Sequence, residues 1–236
     1  MSTLAPHPSV PMVRTPRDAR GARRLAAAVM LVVAPLSVAV LRLIWPAFSA
    51  SDTTAALDAV AANQGAQQAV VWLGMLMALT MVPAVLAAAR LARRRRPVLA
   101  MVAAGVNLAA YLGGTAVITT DLQTLIASRG YDRATIVPYL DAVNGHPSTV
   151  LSLVLFVAGH IVGMILLGAA LWRVIPTWAS IALIVSQPLH FVAYVILQAQ
   201  VLDAGAWGLS VVGFAACALA VVRTPDDEWD LHPVNY

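Results

Sequence analysis

Apolar residues in this chain do not recur every third or fourth position, as they do along a soluble amphipathic helix; they fill long runs almost without a break. A helix rising ~1.5 Å per residue needs ~20 apolar residues to cross the hydrocarbon of a bilayer. Six runs reach that length, at 25–47, 68–90, 97–119, 149–173, 176–198 and 203–223. Backbone groups in lipid must be paired within the chain, which makes helix the form expected for such runs. The pattern therefore predicts an all-α, polytopic membrane helical bundle of six transmembrane helices. The first run exceeds the ~7–15 apolar residues of a signal peptide and reads as a retained span.

Two of the connections are longer than a turn needs. After the first run, Ser51 and Asp52 are N-cap residues for a short helix that carries Leu57 and Val60 on one face and ends near Gly65. The second connection, 120–148, offers Thr120 or Asp121 as a start signal, a break at Gly130, Asp132 as a second cap and a stop at Gly145–His146–Pro147. Both predict short helices on the surface at one end of the bundle. The opposite connections, around Arg93–Pro97 and Val174–Pro176, are tight.

Composition agrees with the pattern: 60% hydrophobic, 11% charged, mean hydropathy +0.80, too little polar surface to coat a soluble globule of 236 residues. The basic residues are all arginine, fifteen of them. Without lysine there is no Walker A loop and no pyridoxal or retinal Schiff base. A single cysteine, Cys217, forbids an internal disulfide and a cysteine-based metal cage.

The arginines also orient the chain. Arg14, Arg17, Arg20, Arg23 and Arg24 precede the first run, and Arg90, Arg93, Arg94, Arg95 and Arg96 follow the second. Arg173 and Arg223 fall at the same end, while the other end has only Arg129 and Arg133 in its loops. By the positive-inside bias both termini are cytoplasmic, and the clusters read as anchors to the anionic lipid bilayer, with no nucleic-acid partner. The expected division is a disordered basic tail at 1–24, a six-helix membrane domain at 25–223, and a solvated acidic tail at 224–236. Trp45, Trp72 and Trp207 fall at the outer interface in this reading, and Trp172 and Trp178 at the inner one.

Polar residues inside the runs are the candidates for chemistry, because hydrocarbon penalises them unless they meet a partner. Ser180, Gln187, His190, Tyr194 and Gln198 fall at helical spacing on the fifth run. Asn107, Tyr111 and Thr115 do so on the third, and Ser152, Phe156, His160 and Gly163 on the fourth. Counting ~1.5 Å per residue puts His160 ~16 Å and His190 ~12 Å below the outer end, at similar depth on adjacent helices. Arg42 is the one permanent charge within a run. It either snorkels to the headgroups or pairs with Asp121 or Asp203 at the rim, and no acid is expected deeper.

These positions outline an outward-facing polar pocket for a lipophilic small molecule, an isoprenoid, quinone or lipid-like compound. In it His160 and His190 exchange protons, aided by the acids Asp121 and Asp203. Arg42, Trp72, Asn107, Tyr111, Gln187 and Tyr194 bind the polar head. The alternative for the same histidines is axial ligation of one b-type haem. The bland alternative is interhelical glue in a non-enzymatic membrane subunit, at ~0.6–2 kcal/mol per hydrogen bond.

The stretch Asp52–Thr53–Thr54…Asn63, together with Gly159–His160…Gly163…Leu171–Trp172–Arg173…Pro176…Trp178, resembles small six-span membrane proteins of unknown function from high-GC, actinobacterial-type bacteria. The resemblance implies the architecture and a bacterial inner-membrane location, and it implies no reaction.

Overall fold

The computed structural model describes residues 18–230, so the part of the expected basic tail at 1–17, Arg14 and Arg17 included, lies outside the described residues. Six helices are long and apolar enough to cross a membrane. They are α1 (Arg20–Ile44), α3 (Gln64–Ala92), α4 with α5 (Pro97–Gly113 and Thr115–Ala127, one span interrupted at Gly114), α7 (Pro147–Ala170), α8 (Thr177–Phe191) and α9 (Gln200–Arg223). Helix α8 runs on through a π turn, Val192–Ile196. The short helices α2 (Thr53–Ala62) and α6 (Arg133–Gly145) occupy the two long connections, and α10 (Asp226–Trp229) follows α9. Among the described residues there is no strand.

Each span packs on its chain neighbours, and α1 closes the set by lying along α9. The six spans thus form a ring in chain order, α1, α3, α4/α5, α7, α8, α9, which returns to α1. Its core is built from small residues, many of them alanine, such as Ala34, Ala84, Ala88, Ala103 and Ala179, with Leu31, Met164, Leu167 and Phe214 between them. Small residues allow close backbone approach, the main source of cohesion where lipid is as apolar as leucine. Helices α4 and α7 are in close contact: a Cβ at Gly159 would lie 2.7 Å from the Ala110 Cβ, and one at Gly163 2.6 Å from the Asn107 amide.

The connections at the α2/α6 end use the caps the sequence offers. Asp52 accepts from the Ala55 amide at 2.8 Å and Asp132 from the Thr135 amide at 3.1 Å, which starts α2 and α6. Leu57 of α2, Ala127 of α5 and Leu140 of α6 then pack together as a small separate core. Two cross-links tie the layer down, Thr53 to Asp141 at 2.5 Å and Arg133 to Asp58 at 3.0 Å.

The other end departs from expectation. Arg20 already begins α1, so residues 20–24 are helical rather than part of a tail. The acidic segment after α9, expected to be solvated, folds back on the arginines. Asp227 pairs with Arg20, Asp226 with Arg24 at 3.3 Å, Glu228 with Arg94 at 2.8 Å, and Asp230 with Arg23 at 2.8 Å and Arg90 at 3.5 Å. Trp229 is buried beneath the Arg90 guanidinium, 4.8 Å from the ring centre. Opposite charges one after another on two converging segments explain the docking; apolar runs alone do not show it.

Candidate functional site

The last turn of helix α1 carries Arg42, which the ring closure brings against α9. The Arg42 Nε donates to Asp203 Oδ2, and the other carboxylate oxygen of Asp203 accepts from His190 Nδ1 on α8. Asp203 is fully buried, in the first turn of α9. Its place near the end of the span is the expected one; its full burial is not. Helix α9 starts three residues before the expected boundary, at Gln200, and that end is roofed over. The Gln200 amide donates to the Arg42, Leu43 and Trp45 carbonyls at 3.0–3.2 Å, pairing groups that the end of α1 leaves free. Of the two settings open to Arg42, the pairing with Asp203 is the one observed.

Three aromatic rings surround the Arg42 guanidinium: Tyr194 at 4.2 Å, Trp45 at 4.9 Å and Phe48 at 5.2 Å from its central carbon. A cation held against ring faces away from water gains ~2 kcal/mol or more per close contact, which offsets part of its desolvation. Tyr194 also stacks on His190, with centroids 6.1 Å apart and planes at 5°. The spacing is one helical turn; the π turn after Phe191 ends the helix just beyond and leaves Gln198 exposed with φ +49°.

The matched depth of the two histidines holds. The His160 and His190 ring centres are 5.6 Å apart, and Trp207 packs against both, at 6.1 and 5.5 Å. His160 is fully buried and directs Nδ1 to the Phe156 carbonyl at 2.5 Å. A carbonyl there requires the proton on Nδ1 in the neutral ring, so Nε2 is an acceptor, and it has no partner among the described residues. By the same logic the carboxylate on His190 Nδ1 sets that ring's Nε2 as the proton acceptor. Tyr111 lies behind His160, 6.5 Å between centroids, its hydroxyl likewise without a partner.

A cavity of about 80 Å³ lies at the centre of the ring and is lined from all six spans, by Arg42, Met77, Asp121, Phe156, His190 and Trp207 among others. That is room for a few water-sized groups. Asp121 and Trp45 also border a second cavity of about 310 Å³ beneath α2 and α6, with Gln67, Thr124, Asn144 and Tyr194 in its wall. Gln67 holds Asp121 in place, donating to its carbonyl at 3.2 Å and its carboxylate at 3.3 Å. Asp121 thus stands between the cavities, opposite the Asp203 pair, rather than joined to Arg42.

Three of the expected binding residues fall elsewhere. Trp72 is 63% exposed on the outer face of α3. Asn107 fills the notch at Gly163 and donates to the Ala103 carbonyl at 2.8 Å, so it belongs to the α4/α7 contact. Gln187 donates to Ser210 at 2.9 Å, within a separate serine cluster. Thr115 is exposed as well, because the break at Gly114 re-phases the helix. Trp207, expected at the interface, is 2% exposed between the histidines. Its i, i+4 relation to Asp203 is a sequence signal that could have found it. Phe48 and Gln200 carry no such signal.

Trp207 packs against both imidazoles, each Nδ1 is engaged, and the cavity beside His190 measures about 80 Å³. No group of three or more histidine, cysteine or acidic side chains suited to a metal ion occurs among the described residues. Comparison with family models, curated proteins and solved structures finds no match for this chain.

Proposed function

We propose that this multi-pass membrane protein binds the polar head of a lipophilic small molecule, an isoprenoid, quinone or lipid-like compound, and exchanges a proton with it at His190. The observation that carries the reading is the Arg42–Asp203–His190 chain, which supplies charge and a fixed tautomer to the wall of an apolar cavity at the meeting point of all six spans. A mostly apolar concavity with a few convergent polar groups is the usual form of a small-molecule site. Arg42 Nη2 is buried without a partner among the described residues, as is the Trp207 indole nitrogen. Two idle donors suit a carbonyl or hydroxyl oxygen, whose arrival pairs what burial otherwise leaves unpaired. A head-group hydroxyl gives its proton to His190 Nε2, Asp203 stabilises the imidazolium that results, the oxyanion left behind faces the Arg42 guanidinium, and the imidazolium returns the proton to that oxygen. The apolar tail lies between the spans, since the cavity has the volume of a head alone.

The arginine bias makes the terminal end cytoplasmic and the α2/α6 end external, in a bacterial plasma membrane. Water then reaches the site from outside, through the cavity under α2 and α6 and past Asp121. Residues 25–223 form the membrane unit.

The test is to purify the protein in mild detergent, extract the bound small molecules and identify them by mass spectrometry, comparing wild type with His190→Gln and with Met77→Trp. The second variant fills the cavity and leaves the ion chain whole. One carbonyl- or hydroxyl-headed lipophile enriched over bulk lipid in wild type and lost from both variants, at unchanged melting temperature, supports the reading. No enrichment in wild type, or full retention by both variants, overturns it in favour of a structural subunit. A visible absorption band shifting on reduction in the same sample returns haem to the histidines.

A further inference from the structure

The four consecutive arginines between α3 and α4 do not share one task. Arg94 pairs with Glu228, Arg95 donates to the Arg173 carbonyl at 2.7 Å, and Arg96 donates to the Ala169 carbonyl at the end of α7. These three close the bundle end. Arg93 is exposed and its side chain makes no hydrogen bond or ion pair among the described residues. It lines a groove of about 650 Å³ between α3 and α4, together with Arg90 and Arg94 at one end and Leu86, Met101 and Ala104 along its length. No acidic side chain borders it. The docked acidic segment lies on the other side of the same arginines, in a separate cavity with Glu228 and Trp229 in its wall.

We propose that this groove is a binding site for one anionic phospholipid, its phosphate at Arg93 and Arg90 and an acyl chain along Leu86, Met101 and Ala104. Three features converge on that ligand. Of the arginines at the mouth, Arg90 and Arg94 already pair with Asp230 and Glu228, and Arg93 is the one without an acidic partner among the described residues, so it is the chief hold on the phosphate. The walls are apolar and open: Leu86 is 46% and Met101 69% exposed, which in a membrane span is a face for lipid. The mouth also lies at the N-terminus of α4, a helix of 17 residues beginning at Pro97, whose free amides and dipole favour an anion. From Pro97 to Ala104 the wall descends ~10 Å at ~1.5 Å per residue, the distance from a phosphate to the upper part of an acyl chain. Basic pockets between spans on the cytoplasmic side hold anionic headgroups in this manner.

The experiment is a titration of the delipidated full chain in detergent with phosphatidylglycerol or phosphatidylcholine, with retained lipid counted by native mass spectrometry. Wild type is expected to retain phosphatidylglycerol about fivefold or more over phosphatidylcholine, from ~1 kcal/mol for each arginine near the phosphate. Arg93→Gln is expected to lose about that factor. Met101→Trp, which fills the groove with every charge in place, is expected to lose retention as well, while Arg133→Gln at the far end keeps it. Equal retention of the two lipids by wild type overturns the proposal, and so does wild-type retention by both groove variants. Full displacement by millimolar inorganic phosphate overturns it in favour of a soluble-anion site. Should Arg93→Gln fail to fold, the lipid preference of wild type and the Met101→Trp result decide alone.

Discussion

Helices α8 and α9 hold two polar clusters about one turn apart, and they do opposite things. At Gln187 the cluster is neutral: Gln187 donates to Ser210, Ser210 to Ser186, both at 2.9 Å, and Ser186 to the Leu183 carbonyl at 2.8 Å. The relay ends on backbone and borders none of the central cavity, and the helices there are in close contact; a Cβ at Gly213 would lie 2.4 Å from the Leu183 side chain. At His190 the cluster is charged, reaches a third helix through Arg42, and faces open space. A neutral relay in a tight seam is the interhelical glue expected in any bundle. Buried charges beside a cavity give less stability than apolar packing in the same volume, so their presence points to a task.

The largest effect should come from breaking the charged cluster. Asp203→Ala leaves Arg42 and His190 without their shared acceptor and is expected to destabilise the protein by about 3–5 kcal/mol, measured by unfolding in mixed micelles. Asp203→Asn should recover part of that loss by keeping one acceptor. A stability of Asp203→Ala within 1 kcal/mol of wild type would show that the chain of charges is not formed.

Next comes Arg42→Met, which removes the cation from its aromatic cage and leaves Asp203 with His190 alone. We expect a loss of about 2–4 kcal/mol, smaller than for Asp203→Ala because one partner survives, together with quenching or exposure of Trp45 in the fluorescence spectrum. Gln187→Met tests the opposite cluster. A methionine of similar volume should cost under about 1.5 kcal/mol or nothing, with any bound lipophile retained, because only neutral hydrogen bonds are exchanged for packing. Equal losses from Gln187→Met and Asp203→Ala would erase the distinction between the clusters.

The smallest effect lies at the end caps. Asp52 and Asp132 each accept backbone or hydroxyl hydrogen bonds at the start of a helix, Asp52 chiefly from the Ala55 amide and Asp132 chiefly from the Thr135 side chain, and each carboxyl is held below the ordinary aspartate value of 3.8. A depressed folded value means that the contribution is present above that range and disappears as pH falls through the lowered value. Protection of the α2 and α6 amides, corrected for the intrinsic pH dependence of exchange, should therefore fall below about pH 4, before the spans open. Protection in α2 and α6 that stays flat down to the acid unfolding of the spans would remove the caps from the account.

Much of the scaffold was legible in the chain. Run length and apolarity marked all six spans because the cost of an unpaired backbone in lipid is a local property of each segment. Asp52 and Asp132 marked the starts of α2 and α6 for the same reason: a cap acts within three residues. The histidine pair was legible too, since a tight turn between antiparallel helices turns residue counts into depth. Trp72, Asn107 and Gln187 were misplaced because helical spacing tells which side of a helix is polar and not which neighbour that side meets.

What the sequence determined by itself is the set of membrane helices, the arginine-rich end and the depth at which His160 and His190 lie. The tertiary structure decided the site. Arg42 and Asp203 are separated by 161 positions and meet only because α1 closes the ring against α9. An acid counted at the rim is buried in the packed bundle, held between Arg42 of α1 and His190 of α8. Hydrophobic pattern acts along one segment at a time, whereas the choice of partner helix and the exclusion of water are properties of the packed whole.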